Sequence, residues 1–262
     1  MNSDRQPAAT ELLRHLQSQR NGLLGLLRRM TTAESPSNVP SAQHEIREII
    51  AAELEQLGYR VRRIPGHSSG GMLYACPANR RKRAPAQLLL GHYDTVWPLG
   101  TLADMPFEVD GDTVRGPGVY DMKGGVAQAL LALGALRKFE VEPRVTPLVF
   151  LNSDEEIGSR ESRRYIERLA PHVDRVFVLE PSLGPAGLLK TARKAIGRFT
   201  ITVRGEAAHA GLDPGAGASA ILELSHVIQA LFSMNDLERG ITVNVGTIDG
   251  GLRPNVVAPS SQ

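Results

Sequence analysis

The sequence predicts an α/β protein: a mostly parallel sheet with helices on both faces, followed by a smaller α+β domain. Three observations carry that expectation. Short β-rich apolar runs alternate with longer segments of helical spacing, the signature of parallel strands joined by crossover helices. Three of those runs, LLLGHYD at 88–94, VTPLVFL at 145–151 and RVFVL at 175–179, end at or just before histidine or carboxylates. Open α/β sheets place their sites at such carboxyl ends. At Gly187 the texture then changes to strict apolar and polar alternation, which marks half-exposed strands. The expected boundary lies near residue 186, giving domains over 1–186 and 187–262.

Taken in order, leucines at 12, 13, 16, 23, 24, 26 and 27 predict one opening helix over 10–30. Residues 35–40, rich in Ser and Pro, read as a loop. Ser41, Glu45 and apolar residues at 46, 49, 50, 54 and 57 predict a second helix that Gly58 ends. Strands follow over 59–64 and 72–77, then the basic loop RRKR at 80–83 and the central strand. Asp110-Gly111 between β-prone residues signals a hairpin over 107–114. RGPGVYDMKGG at 115–125 is a tight Gly-rich loop at the start of an apolar helix over 126–139. Its glycine spacing matches neither the dinucleotide fingerprint nor the P-loop. NSDEEIG at 152–158 leads into a helix over 159–169. In the second domain, strands over 194–203 and 241–248 flank a helix over 218–234.

Lys+Arg of 30 against Asp+Glu of 28 leaves a net charge of +2, too little to point to nucleic acid or an anionic membrane. The RRKR cluster reads as a solvated loop. Cys76 is the sole cysteine, which excludes an internal disulfide and a multi-thiolate zinc site. With no signal-peptide pattern and no run of 18 apolar residues, the expectation is a cytoplasmic protein without a membrane partner.

The chemistry lies in acids and histidine at strand ends. His92 and Asp94 stand two apart in extended chain and so point the same way, which lets the acid orient a metal-bound ring. Alone, such a pair is usually a hydrogen-bonded turn. Likewise Glu155-Glu156 alone reads as a solvated helix start, favoured by the macrodipole. Yet His92, Asp121, Glu155, Glu156 and Glu180 all fall in loops after strands, and five together point to a metal site of zinc-binding N and O donors.

GHYDT at 91–95, GPGVYDMKGG at 116–125, NSDEEIGS at 152–159, LEPS at 179–182, GEAAHAG at 205–211 and GGLRPNVV at 250–257 resemble, in order, the co-catalytic di-zinc exopeptidase and deacylase family. That family includes glutamate carboxypeptidase, acetylornithine deacetylase, succinyl-diaminopimelate desuccinylase and aminoacylase; GPGxxDMKGG is nearest the glutamate carboxypeptidase branch. The resemblance implies a zinc-dependent hydrolase cleaving amide bonds of peptides or N-acyl amino acids. It implies that His92 and Glu180 bind one zinc, Asp121 bridges, and Glu156 binds the other, with cobalt or manganese as substitutes. Asp94 would orient His92, and Glu155 would be the general base acting on a metal-activated water. The smaller domain would form a homodimer and present His209 to the partner's site as an oxyanion donor. Residues flanking His209 also suit a plain turn histidine. Asn244 and Arg253 are candidates for holding the substrate carboxylate.

The resemblance also implies a return of the chain to the first domain, with a further histidine for the second zinc. No histidine follows His226. The expectation is therefore a C-terminally truncated member whose second zinc is weakly held and whose activity is slight or absent. The alternative is a non-catalytic fragment that acts as a binding or dimerisation module.

Overall fold

The computed structural model describes residues 9–81, 83–184 and 186–262. The chain divides into two compact units at Leu188/Leu189. The first opens with α1 (Ala9–Ser18), α2 (Arg20–Thr32) and α3 (Gln43–Gln56). Strands β1 (Tyr59–Ile64), β2 (Met72–Pro77) and β3 (Ala86–His92) follow, then a small hairpin of β4 (Glu108–Asp110) and β5 (Thr113–Arg115). Helix α4 (Gly124–Lys138), strand β6 (Thr146–Asn152), helix α5 (Arg163–Leu169) and strand β7 (Arg175–Val178) complete it.

The sheet order is β1-β2-β6-β3-β7. Strand β3 is parallel to both β6 and β7, while β2 runs antiparallel to β1 and β6, so β2 alone opposes the rest. Because side chains alternate across a strand, the two faces collect separate cores. Leu73, Ala75, Val149 and Leu151 pack with Met30, Ile46, Ile50, Leu54, Val126 and Leu130 of the helices. On the other face Met72, Leu88, Leu148 and Phe150 meet Tyr165, Ile166 and Leu169 of α5. The two crossovers, through α4 and α5, thus cover opposite faces, and β3 lies between its two parallel neighbours. Its carboxyl end is the one that both flanking strands frame.

Three local expectations in the first unit are corrected. The opening helix is two helices, broken at Gln19, whose φ of −89° and ψ of 15° leave the helical region. The hairpin turns on Gly111-Asp112 rather than Asp110-Gly111, because Asp110 pairs with Thr113. The helix expected from Ser159 begins at Arg163: the Asp154 carboxylate accepts the N–H groups of Glu161 and Ser162 at 2.7 and 3.1 Å, and Ser159 has φ of 53°.

The second unit holds β8 (Val203–Arg204), α6 (Ala220–Ser233) and β9 (Ser260–Ser261). Ser219 caps α6, its Oγ accepting from Leu222 N at 3.2 Å. Strands β8 and β9 pair antiparallel. The long strands expected over 194–203 and 241–248 do not form, apart from Val203 in β8 and a bridge at Ile241. Alternation specifies one face to bury and edges to pair, and among the described residues of this unit these segments find neither: Ile196 is 96% and Phe199 88% exposed.

Candidate metal centre

Strand β3 delivers His92 almost wholly buried. Its Nδ1 lies 3.0 Å from the Asp94 backbone oxygen and 3.3 Å from Asp94 Oδ1. With Nδ1–H donating to these acceptors, Nε2 is the nitrogen turned toward the carboxylates. It stands 3.1 Å from Asp121 Oδ1, 3.6 Å from Glu180 Oε1 and 3.9 Å from Glu155 Oε2. One donor atom from each of His92, Asp121 and Glu180 lies within 4.8 Å of the other two.

Local sequence explains the convergence. Asp121 sits in a π-turn, Val119–Lys123, whose dihedrals leave the helical region at Asp121 and Met122. Gly118 enters that turn at φ of 70°, a conformation glycine adopts freely. Met122 packs beneath the site, its Sδ accepting the His92 N–H at 3.2 Å. Glu180 follows β7, where Leu179 N–H bonds Leu90 O at 2.9 Å. The first turn of α4 meets this strand end so closely that a Cβ on Gly125 would fall on the Leu179 carbonyl. Glycine there is what brings the Asp121 turn and Glu180 to one place.

Glu155 and Glu156 form the turn after β6. Their N–H groups donate to Asp94 Oδ1 and Oδ2 at 3.3 and 3.2 Å. Asp94 is fully buried, and its Oδ2 also accepts Ser37 Oγ–H at 2.7 Å. Glu156 lies outside the triad of close donors.

Electrostatics follow this crowding of acids. Burial opposes protonation of His92, but hydrogen bonding to Asp121, Asp94 and Glu180 outweighs it and pushes the ring up to about 12. The spot therefore favours a positive charge. Burial raises the Glu155 carboxyl, an effect the His92 charge opposes and the Glu180, Asp94 and Asp121 charges reinforce. Burial and then Asp121 lift Glu156 to about 7. Burial brings Lys123 down to about 7, with its Nζ donating to Ala33 O at 3.3 Å.

The structure thus gathers His92, Asp94, Asp121, Glu155 and Glu180 around one point, with Glu156 beside them. His209, Asn244 and Arg253 are exposed residues of the second unit. His209 Nδ1 accepts the N–H groups of Gly211 and Leu212, both at 3.2 Å. Ser37, Gln43 and Asp154 also belong to the frame of the site and were not legible as such. Asp154 had a signal in its place beside the Glu pair; Ser37 and Gln43 had none beyond a loop composition and a helix start.

Residues 88–249 match the description "Peptidase family M20/M25/M40". Carboxypeptidase G2 of Pseudomonas sp. (strain RS-16) is 32% identical over 214 residues, 81% of this chain and 51% of the relative. Acetylornithine deacetylase of Myxococcus xanthus is 30% identical over 250 residues, 87% of this chain and 61% of the relative. The chain spans about half the length of the curated relatives it matches. Among solved structures, an aminopeptidase of Bacillus cereus ATCC 10987 superposes with a TM-score of 0.62 at 20% identity, covering 94% of this chain and 64% of that one. A metallo-carboxypeptidase of Sulfolobus solfataricus gives 0.58 at 16%, covering 92% and 68%. The fold is common to these structures, and by the match over most of its length this chain belongs to peptidase family M20/M25/M40.

Proposed function

We propose that this chain carries the metal-binding part of a zinc-dependent hydrolase of amide bonds in peptides or N-acyl amino acids. The observation that carries the reading is the convergence of His92, Asp121 and Glu180 on one point with Glu155 3.9 Å from the histidine. One imidazole nitrogen and carboxylate oxygens are a donor set zinc accepts, with cobalt or manganese able to replace it. The raised affinity of this spot for a positive charge fits a cation there.

His92, Asp121 and Glu180 would hold the first ion, and Asp121 with Glu156 the second, more weakly. A divalent ion so held supplies Lewis acidity, making water more acidic and polarising the scissile carbonyl. Asp94 fixes the His92 ring through Nδ1. Glu155 accepts a proton from the attacking water and returns it to the leaving nitrogen, a role suited to a carboxyl whose proton affinity burial has raised. The names carboxypeptidase and acetylornithine deacetylase among the relatives support the amide substrate class. By the family resemblance, residues 187–262 form a homodimerisation domain, His209 donates to the oxyanion, and Asn244 and Arg253 meet the substrate carboxylate. Among the described residues no helix is long and apolar enough to cross a membrane.

The test is hydrolysis of N-acyl amino acids and glutamyl dipeptides with zinc added back after chelation. Turnover should require the metal and fall about 100-fold or more in Glu155→Gln. Turnover that survives chelation, or a fully active Glu155→Gln, contradicts the reading. Zinc binding without turnover favours the second one, a non-catalytic binding or dimerisation fragment.

A further inference from the structure

We propose that Ser37 is a positioning residue of the metal centre. Through Asp94 it holds His92 and the Glu155–Glu156 backbone in a fixed relation to each other. The inference rests on the reading of His92, Asp121 and Glu180 as metal ligands.

An ionised carboxylate offers about four lone-pair sites. At Asp94 three are taken by hydrogen bonds: Oδ1 accepts from Glu155 N at 3.3 Å, and Oδ2 from Glu156 N at 3.2 Å and Ser37 Oγ at 2.7 Å; Oδ1 also lies 3.3 Å from His92 Nδ1, which is 3.0 Å from the Asp94 backbone oxygen. These donors come from three stretches of chain: the loop after α2, the end of β3 and the turn after β6. One dry carboxylate is therefore the junction between the ligand histidine and the proposed base. The Ser37 contact is the shortest of the set, as charge-assisted O–H donors are. It is also the one that comes from neither the histidine nor the Glu pair, so it sets the carboxylate's orientation independently of the groups being oriented.

Ser37 is itself held on other grounds. Its N–H bonds Thr95 O at 3.0 Å, and Thr95 N–H bonds Ser35 O at 2.9 Å, so residues 35–37 lie alongside 93–95. Gln43 Nε2 donates to Pro36 O at 2.9 Å and to Ser153 O at 3.0 Å. One amide thus ties the Ser37 segment to the strand end just ahead of Glu155. The backbone would stay in place without the hydroxyl. What would be lost is the shortest bond to the Asp94 carboxylate, leaving buried Oδ2 with only the Glu156 N–H at 3.2 Å. Ser37 Oγ also lies 3.2 Å from Thr95 O, but a hydroxyl has one proton and the carboxylate is closer. Ser37 lies ahead of residues 88–249, the part that matches the family, so the centre draws on chain outside that match.

A plain stabilising role for Ser37 is distinguishable through Ser35. Its hydroxyl donates to Tyr93 O at 2.6 Å, equally buried and in the same segment, without touching Asp94. The experiment measures zinc affinity of the full chain by chelator competition and the visible absorption of its cobalt form. Ser37→Ala should weaken zinc about 10-fold and alter the cobalt spectrum. Ser37→Thr should restore both. Ser37→Val, which has the shape of threonine without the hydroxyl, should repeat the loss; it decides the matter with threonine if the alanine variant does not fold. Ser35→Ala should lower the melting temperature yet leave affinity and spectrum as in the parent. Parental affinity and spectrum in the Ala and Val variants would overturn the proposal, as would an equal loss in Ser35→Ala. A parent chain that binds neither metal overturns the metal-centre reading, and this proposal with it.

Discussion

At His92 and Glu156 the unusual proton affinities make the metal-free chain sensitive to pH. Both groups hold protons more tightly folded than at their ordinary values of 6.5 and 4.5. The Glu156 contribution is fully present below 4.5 and is lost as pH rises through about 7; that of His92 is full below 6.5 and declines as pH rises toward about 12. These two signs agree, while Lys123, brought down from 10.5 to about 7, contributes with the opposite sign above about pH 7 and offsets His92 there. Thermal melts of the chelated chain should show a melting temperature that falls from pH 5 to pH 7 and levels off above it, and Glu156→Gln should flatten that fall. A melting temperature that rises over this range would contradict the assignment. The residues closest to the chemistry were legible because each stands where an apolar run stops: His92 after Gly91, Glu155 and Glu156 after β6, Glu180 after β7. Their supports were not. Ser37 and Gln43 act on groups 57 and 110 positions away, Asp94 and Ser153, and a Ser- and Pro-containing loop looks the same whether it braces a site or faces water.

Among the elements, β1 and β2 have the bounds their residues announce, because Gly58 and Pro77 punctuate them. The break at Gln19 was hidden, since the leucine spacing runs on through it. The alternating segments of the second unit were misread for a physical reason: alternation records which side chains a strand would bury, and forming it still needs a partner edge. Close packing at the centre of the first unit is likewise invisible in sequence, and glycine substitution exposes it. Gly125→Ala places a methyl on the Leu179 carbonyl and should lower both the melting temperature and zinc affinity, by forcing α4 away from the strand that carries Glu180. Gly25→Ala, in α2 with nothing within 4 Å of the added carbon, should instead stabilise by about 0.5–1 kcal/mol and leave zinc binding alone. Equal effects of the two substitutions would show that the contact at Leu179 does not matter.

For the molecule as a whole, the family match over 88–249 runs through both units, while the residues that converge at His92 all belong to the first. The fold was legible from the alternation of runs and helices, and the family from motifs kept in order. How the second unit takes part was not, because His209, Asn244 and Arg253 are polar residues in exposed loops with no periodicity to place them. The central claim is that the first unit holds a metal through His92, Asp121 and Glu180. Elemental mass spectrometry of the purified, dialysed chain after zinc loading tests it most directly. About one tightly held zinc per chain, lost in His92→Ala, is the result the structure predicts. No retained zinc in the parent, or the same content in His92→Ala, would contradict it.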